Sequence, residues 1–421
     1  MIELSMEEEL LHGAGVSLKV IGVGGAGGNA VNSMLIDGDM NNVSFIIANT
    51  DAQALAQSPT RFKVQLGKKI TKGLGAGSNP DVGRRAAEED SDAIRELLQG
   101  ADILFLTGGL GGGTGSGAMP VIAQMAKEMG ILTVGVVTKP FTFEGKRRAK
   151  HADEALKNVR GCVDTLITVP NQKLLEMADP KISMLNAFAP SNEILKQAIK
   201  GISDIITKAG HINVDFADVR TIMKDTGIAI MGTGRASGPD RARQAAVRAI
   251  SSPLLENASI RGAKGVLINI TGNEDLELQE INEAASMVYD MVSAEANIIM
   301  GSVIDKSMGN EISVTVIATG LDELDFKSMP VHVAAPESVA MASQAFHAGF
   351  QPHAADQPSV IVEAEVHIQN LAGAERIPAA KQAQEAGHIA PVEQSFDMDN
   401  LDTPTFMRKK VAHDAQSEDQ V

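Results

Sequence analysis

The ten-residue loop GGLGGGTGSG, Gly108 to Gly117, carries seven glycines and separates an apolar run from an amphipathic one. The run before it, Ala101 to Thr107 (ADILFLT), has the length and composition of a buried strand. After it, Val121, Ile122, Met125, Ala126 and Met129 recur at i, i+1, i+4, i+5 and i+8. That spacing predicts a helix that buries all five and stops at Gly130 in a left-handed cap. Ile131 to Val137 (ILTVGVV) predicts a further buried strand. Strand, loop, helix and strand in this order form the unit of a parallel sheet. Glycine backbone is costly to order, so such a loop is a poor packing filler. It suits a nest of backbone N–H groups around phosphate oxygens, with the hydroxyls of Thr114 and Ser116 as added donors. No lysine follows at P-loop spacing, which excludes the P-loop NTPases.

A second glycine turn lies upstream. GVGGAGGN, Gly22 to Asn29, follows a short apolar strand, Leu18 to Val23, and leads into a helix expected from about Asn29. Gly22, Gly24 and Gly27 satisfy G-x-G-x-x-G, and Asp51 ends the next strand, Val43 to Ala48. Alone, this pattern fits a nicotinamide-dependent oxidoreductase of Rossmann type. A dinucleotide enzyme needs no second cradle, however. Two phosphate cradles on one sheet point to a nucleoside triphosphate. Farther on, Ile194, Leu195, Ala198, Ile199, Ile202, Ile205 and Ile206 keep a helical stripe for about four turns, with Ser191 as the expected cap. A helix near Asp218 to Lys224 and strands near Gly265 to Thr271, Asn297 to Ile304 and Ile312 to Thr319 follow, with a helix from Leu278 to Val292 among them. They predict a second, smaller α/β domain joined to the first by the long helix.

Charge excludes one class of partner. The 421 residues carry a formal net charge of −16, against a nucleic-acid backbone as main partner. Trp is absent and Tyr289 is the single tyrosine, so platforms for stacking bases are few. The lone Cys162 excludes an internal disulfide and any multi-cysteine metal site. No apolar run reaches the ~20 residues that span a bilayer, and MIELSMEEELL lacks a signal-peptide layout. A cytoplasmic protein with no direct membrane insertion is expected. From Leu321 onward, 6 Lys+Arg face 16 Asp+Glu, with 7 of the 16 prolines, which predicts mostly disordered linker. SVIVEAEVHI, Ser359 to Ile368, is its strand-like exception.

GGGTGSG, Gly111 to Gly117, is similar to the signature of the tubulin/FtsZ superfamily. NTDAQAL (Asn49 to Leu55), GLGAGSNPDVGR (Gly73 to Arg84), VVTKPFTFEGKRR (Val136 to Arg148), VPNQKLL (Val169 to Leu175) and NVDFADV (Asn213 to Val219) resemble loops of its bacterial members, in the same order. The resemblance covers about 16–320 and resumes at LDTPTFMRKK, Leu401 to Lys410. It implies an α/β fold: a Rossmann-like parallel-sheet GTPase domain, a long central helix, a smaller α/β C-terminal domain and a disordered tail. The expected bounds are a flexible 1–12, a GTP-binding 13–184, a central helix 185–210, an activation domain 211–320, a linker 321–400 and a partner-binding peptide 401–421.

The resemblance also implies GTP and GDP as ligands with Mg2+, and a protein that assembles head to tail into the scaffold of the mid-cell division ring. By that similarity the phosphates lie on Gly24, Gly25, Ala26, Gly27 and Gly28 and on Gly112, Gly113, Thr114 and Gly115, with Ala76 and Gly77 near the γ-phosphate. Glu144, Arg148 and Asn171 would meet the ribose or base region, Asn29 the base edge or ribose, and Phe188 the face of the base. Glu144 and Arg148 equally fit an i,i+4 surface ion pair. Guanine offers two adjacent donors that one carboxylate accepts together, and Glu193 stands where the family usually has Asp. Asp215 and Asp218, with Asn213 beside them, would act on the next subunit's GTP by orienting and polarising water. Asp215 and Asp218 also fit a carboxylate capping box. Phe406, Met407, Arg408 and Lys409 form the basic-apolar patch that would bind membrane adaptors and division regulators; Thr403 and Met407 replace usual apolar residues there.

Overall fold

The computed structural model describes residues 15–321 except 39, 41, 178–182, 184–185, 209, 211, 253 and 256–259. The sequence expectations for the linker, for the strand-like 359–368 and for Phe406, Met407, Arg408 and Lys409 lie outside the described residues. The first half alternates as its apolar runs and glycine turns require. It contains β1 (Leu18–Val23), α1 (Gly24–Asp37), β2 (Val43–Asn49), α2 (Ala52–Gln57), β3 (Phe62–Gln65), α3 (Lys68–Thr71), α4 (Pro80–Glu89) and α5 (Ser91–Leu98). It continues through β4 (Ile103–Gly109), α6 (Thr114–Glu128), β5 (Leu132–Lys139), α7 (Lys146–Arg160), β6 (Thr165–Pro170) and α8 (Asn171–Met177). The long helix is α9 (Ala189–Thr207). Beyond it lie α10 (Phe216–Met223), β7 (Gly227–Ser237), α11 (Arg241–Ile250), β8 (Gly265–Gly272), α12 (Leu278–Tyr289), β9 (Asn297–Ile304) and β10 (Glu311–Leu321).

The strands form one ten-stranded sheet in the order β3-β2-β1-β4-β5-β6-β7-β10-β8-β9. From β3 through β7 every pairing is parallel. β10 runs antiparallel to both neighbours, and β8 and β9 are parallel. Two-residue alternation divides the first half's core. Val20, Phe45, Phe105 and Val134 pack on the side of α1 and α9. Ile21, Ile46, Leu104 and Leu106 pack with α5, α6 and α7. A third cluster joins α11 and α12 to β7, β8 and β10. The expected second domain is thus continuous with the first sheet, through Thr165↔Gly227, Leu166↔Ile228 and Ile167↔Ala229.

Three expectations need correction. The first glycine turn does not precede its helix but starts it. Gly24, at φ 72°, makes the whole bend, and α1 begins there rather than at Asn29. Ser191 does not cap α9: Phe188 holds the N-cap position, Pro190 stands second in the helix, and Ser191 sits buried in its first turn, donating to Asn171 Oδ1 at 2.8 Å. In α6, Met129 is 37% exposed because the helix ends at Glu128 and Met129 is its C-cap, and Val121 is only half-buried, at the margin of the core.

An ionic cluster ties α9 to the turn after β9. Lys208 Nζ lies 3.0 Å from Asp204 and 3.5 Å from Asp305, and Lys200 Nζ lies 3.7 Å from Asp305. Burial pushes the Asp204 carboxyl up against the opposing pull of Lys208 and Lys200. Burial alone would also raise Asp305, but the Ser307 hydroxyl and amide, with Lys208 and Lys200, outweigh it and bring it to about 2. A depressed carboxyl stabilises the fold above its unfolded value, and that contribution is lost as pH falls through the folded one. Asp305→Asn should therefore lower the melting temperature by a few degrees near neutral pH. Thermal melts should show the gap to the unsubstituted protein closing between about 3.8 and about 2.

Candidate functional site

The carboxyl ends of β1, β4, β5 and β6 open onto a cavity of about 420 Å³. Open α/β sheets hold ligands at this end. Its floor is the junction of the two glycine turns. A Cβ on Gly24 would stand 3.1 Å from Gly115 N, and one on Gly109 would stand 2.7 Å from Ala26 Cβ. Val23, Gly24, Gly25, Ala26 and Asn29 line one wall, and Gly109, Leu110, Gly112, Gly113, Thr114 and Gly115 line the other. Both turns feed straight into helices, so free N–H groups and two positive dipole ends converge there. Thr114 shares a 2.7 Å hydrogen bond with Thr50, linking the second turn to the end of β2.

Some predicted residues support the cradle from beneath. Gly27 packs on the carbonyl of Thr107 and Gly28 on Ile47, and neither lines the cavity. Ala76 is buried against Gly113. Gly77 is also absent from the lining; its neighbour Ser78 is there instead, at φ 57°. Ser116 is buried, and its Oγ accepts from Gly111 N at 2.8 Å, so this hydroxyl shapes the turn and does not face the cavity. Asp51, the acid of the dinucleotide pattern, lies outside the lining; it caps α2, accepting from Gln53 N at 2.9 Å and Ala54 N at 3.2 Å.

At the other end, Phe188 is 39% exposed and meets Phe141 edge-on, with centroids 5.2 Å apart. Glu144, Arg148, Asn171 and Asn192 complete that end. Glu144 and Arg148 form the i,i+4 ion pair, and Glu144 Oε1 also accepts from Phe141 N at 2.9 Å. Glu193 does not line the cavity. It faces a neighbouring hollow with Ser33 and Asp37, and its Oε1 accepts from Gln197 at 2.8 Å. Asn192 occupies the cavity side of that helical turn. Thr138, at the end of β5, and Pro140 also line the site. Their signal in the sequence is their position where a core strand stops.

Asp215, Asp218 and Asn213 lie outside the lining, exposed around the start of α10. Asp215 holds the N-cap position, but its side chain makes no capping bond; its backbone carbonyl accepts from Asp218 N at 3.0 Å. The capping-box expectation therefore fails, and among the described residues neither carboxylate has a hydrogen-bond or ion-pair partner. Asn213 Oδ1 accepts from Gly210 N at 2.8 Å. Among the described residues of the cavity lining Glu144 is the one carboxylate, and Arg148 and a backbone amide already engage it.

Residues 17–179 match the profile of the Tubulin/FtsZ family, GTPase domain, and residues 227–322 that of the FtsZ family, C-terminal domain. "Cell division protein FtsZ" of Pseudomonas putida is 48% identical over 396 residues, covering 93% of this chain and 96% of that protein. The Coxiella burnetii protein of the same name is 54% identical over 304 residues, 72% of this chain and 78% of its own. Among solved structures, "FtsZ dimer, empty (M. jannaschii)" superposes with a TM-score of 0.71 at 41% identity, over 76% of this chain and 92% of that one.

Proposed function

The chain belongs to the FtsZ family of tubulin-like GTPases, and on that footing we propose that it completes its GTPase site only when a second copy docks. The cavity offers N–H groups, hydroxyls and an aromatic face, and the one carboxylate among its described lining residues is already engaged. That observation carries the proposal: the site can hold GTP, yet among the described residues it has no free acid to orient the attacking water. Asp215 and Asp218, whose carboxylates have no hydrogen-bond or ion-pair partner among the described residues, stand exposed outside that lining.

A copy stacked head to tail brings its Asp215 and Asp218 to the γ-phosphate end of its neighbour's GTP. Asn213 and the start of α10 hold them in place. Their role is to orient and polarise water, while the glycine turns of the first copy stabilise charge on the phosphate oxygens. Mg2+ would accompany the nucleotide, whose phosphates the glycine turns and Thr114 hold. When bound it neutralises phosphate charge. Such a contact is heterologous and does not close, so it propagates as a filament. GTP at the contact favours assembly and GDP favours release, by differential binding. In a cell this polymer is the scaffold of the mid-cell division ring, and the peptide at 401–421 recruits membrane adaptors and division regulators.

Nothing supports an oxidoreductase, since Asp51 is engaged as a helix cap. The test is phosphate release from GTP across a series of protein concentrations. Release should be negligible below a threshold and then rise, so that overall it climbs more steeply than linearly. Full-speed release by a form held monomeric overturns the proposal.

A further inference from the structure

We propose that Lys127, with Arg220, is a positioning clamp that sets the direction in which this chain presents Asp215 and Asp218 to the next copy; this rests on the in-trans reading above. α6 is a rod about 22 Å long, with Thr114 in the phosphate cradle at one end and Lys127 in the last turn at the other. Lys127 Nζ lies 2.7 Å from Asp225 and 3.6 Å from Asp164, whose side chain is 5% exposed. Asp225 forms the turn between α10 and β7 at φ 53°, a left-handed conformation that non-glycine residues rarely adopt. Arg220, on α10 itself, donates to the carbonyl of Gly130, just beyond α6, at 3.1 Å. The carboxyl end of the eight-residue α10 is thus gripped from two sides, while its amino end, with the acidic pair, stands exposed.

The Lys127 hydrogen bond holds the Asp225 carboxyl below its ordinary value, and the same bond raises Lys127, so both are charged at neutral pH. A pair this exposed contributes little to global stability. Its leverage is angular: a tilt at one end of a short helix moves the carboxylates at the other, and a displacement of ~1 Å can cost up to ~100-fold in rate.

The full-length protein tests this. Lys127→Met should bind GTP as the unsubstituted protein does and still pellet with GTP, with turnover per subunit about tenfold lower. Lys127→Arg should restore most of it. Should Lys127→Met fold poorly through its buried neighbour Asp164, Asp225→Asn replaces it, because asparagine keeps the left-handed turn while removing the charge. The decisive measurement mixes the clamp variant with Asp218→Ala. Both defects then lie on the presented face, and the equimolar mixture turns over no faster than the clamp variant alone. A faster mixture means that the clamp acts on the cradle, and it overturns the proposal. So does unchanged turnover in the clamp variants. Asp218→Ala alone is the control: if it turns over normally, the in-trans reading itself fails, whereas its inactivity beside a fully active clamp variant sinks the clamp only.

Discussion

Asp218→Ala should abolish GTP turnover, by ~10³-fold or more, while leaving GTP affinity and the melting temperature near those of the unsubstituted protein. Three features separate the effects. Asp218 is outside the cavity lining, so no contact to nucleotide within its own chain is lost. It is exposed, and among the described residues its carboxylate has no partner, so no internal bond is broken. Its favourable interaction with the amino end of α10 is worth at most ~1 kcal/mol at an exposed site. The check is a pair of measurements: equilibrium binding of GTP by the dilute protein, and phosphate release above the assembly threshold. The variant should still assemble with GTP, and its polymers should persist because the trigger for release is missing. Equal loss of binding and turnover would mean that Asp218 serves its own chain's site.

The sequence and the structure agree most where backbone periodicity decides. The apolar runs before the two glycine turns are β1 and β4, and the isoleucine stripe of α9 is buried from Leu195 to Ile205. The glycine clusters mark the cradle because glycine needs a backbone reason to be so concentrated. Roles decided by side-chain direction were harder to read. Asp51, Ser116 and Glu193 each lie within a suggestive motif, and each points elsewhere: to a helix cap, to a turn amide, to a neighbouring hollow. Sequence spacing places a residue on an element but not the contact that wins it. The reverse occurs at Asp215, where the spacing fits a cap and the carboxylate is left free. The continuous sheet was equally hidden. It depends on three residue pairs between β6 and β7, strands separated by α8, α9 and α10. Long-range pairing of that kind leaves no local signal.

Two glycines of one turn should separate binding from folding. A Cβ on Gly117 would lie 1.9 Å from the carbonyl oxygen of Pro80 and 2.6 Å from Arg84 N, both backbone atoms of α4. Neither can yield without moving the helix, so Gly117→Ala forces α4 and α6 apart. Overpacking of this kind costs ~3 kcal/mol or more, which for a domain of this size is a fall of ~6–12 °C in melting temperature. GTP binding should weaken as well, since the segment before α4 carries Ser78 into the cavity wall. Gly112 is the opposite case. Nothing lies within 4 Å of a Cβ built there, and the residue lines the cavity. Gly112→Ala should melt with the unsubstituted protein, because the added methyl meets no protein atom. It meets the nucleotide instead. The methyl holds a phosphate oxygen away from the turn, and losing one hydrogen bond to a charged group, ~1.5–3 kcal/mol, predicts GTP affinity lower by ~10- to 100-fold. Thermal melts and nucleotide titrations on the two variants provide the check. If Gly112→Ala binds GTP at full strength, the glycine wall is packing and not a cradle, and the phosphates must lie elsewhere.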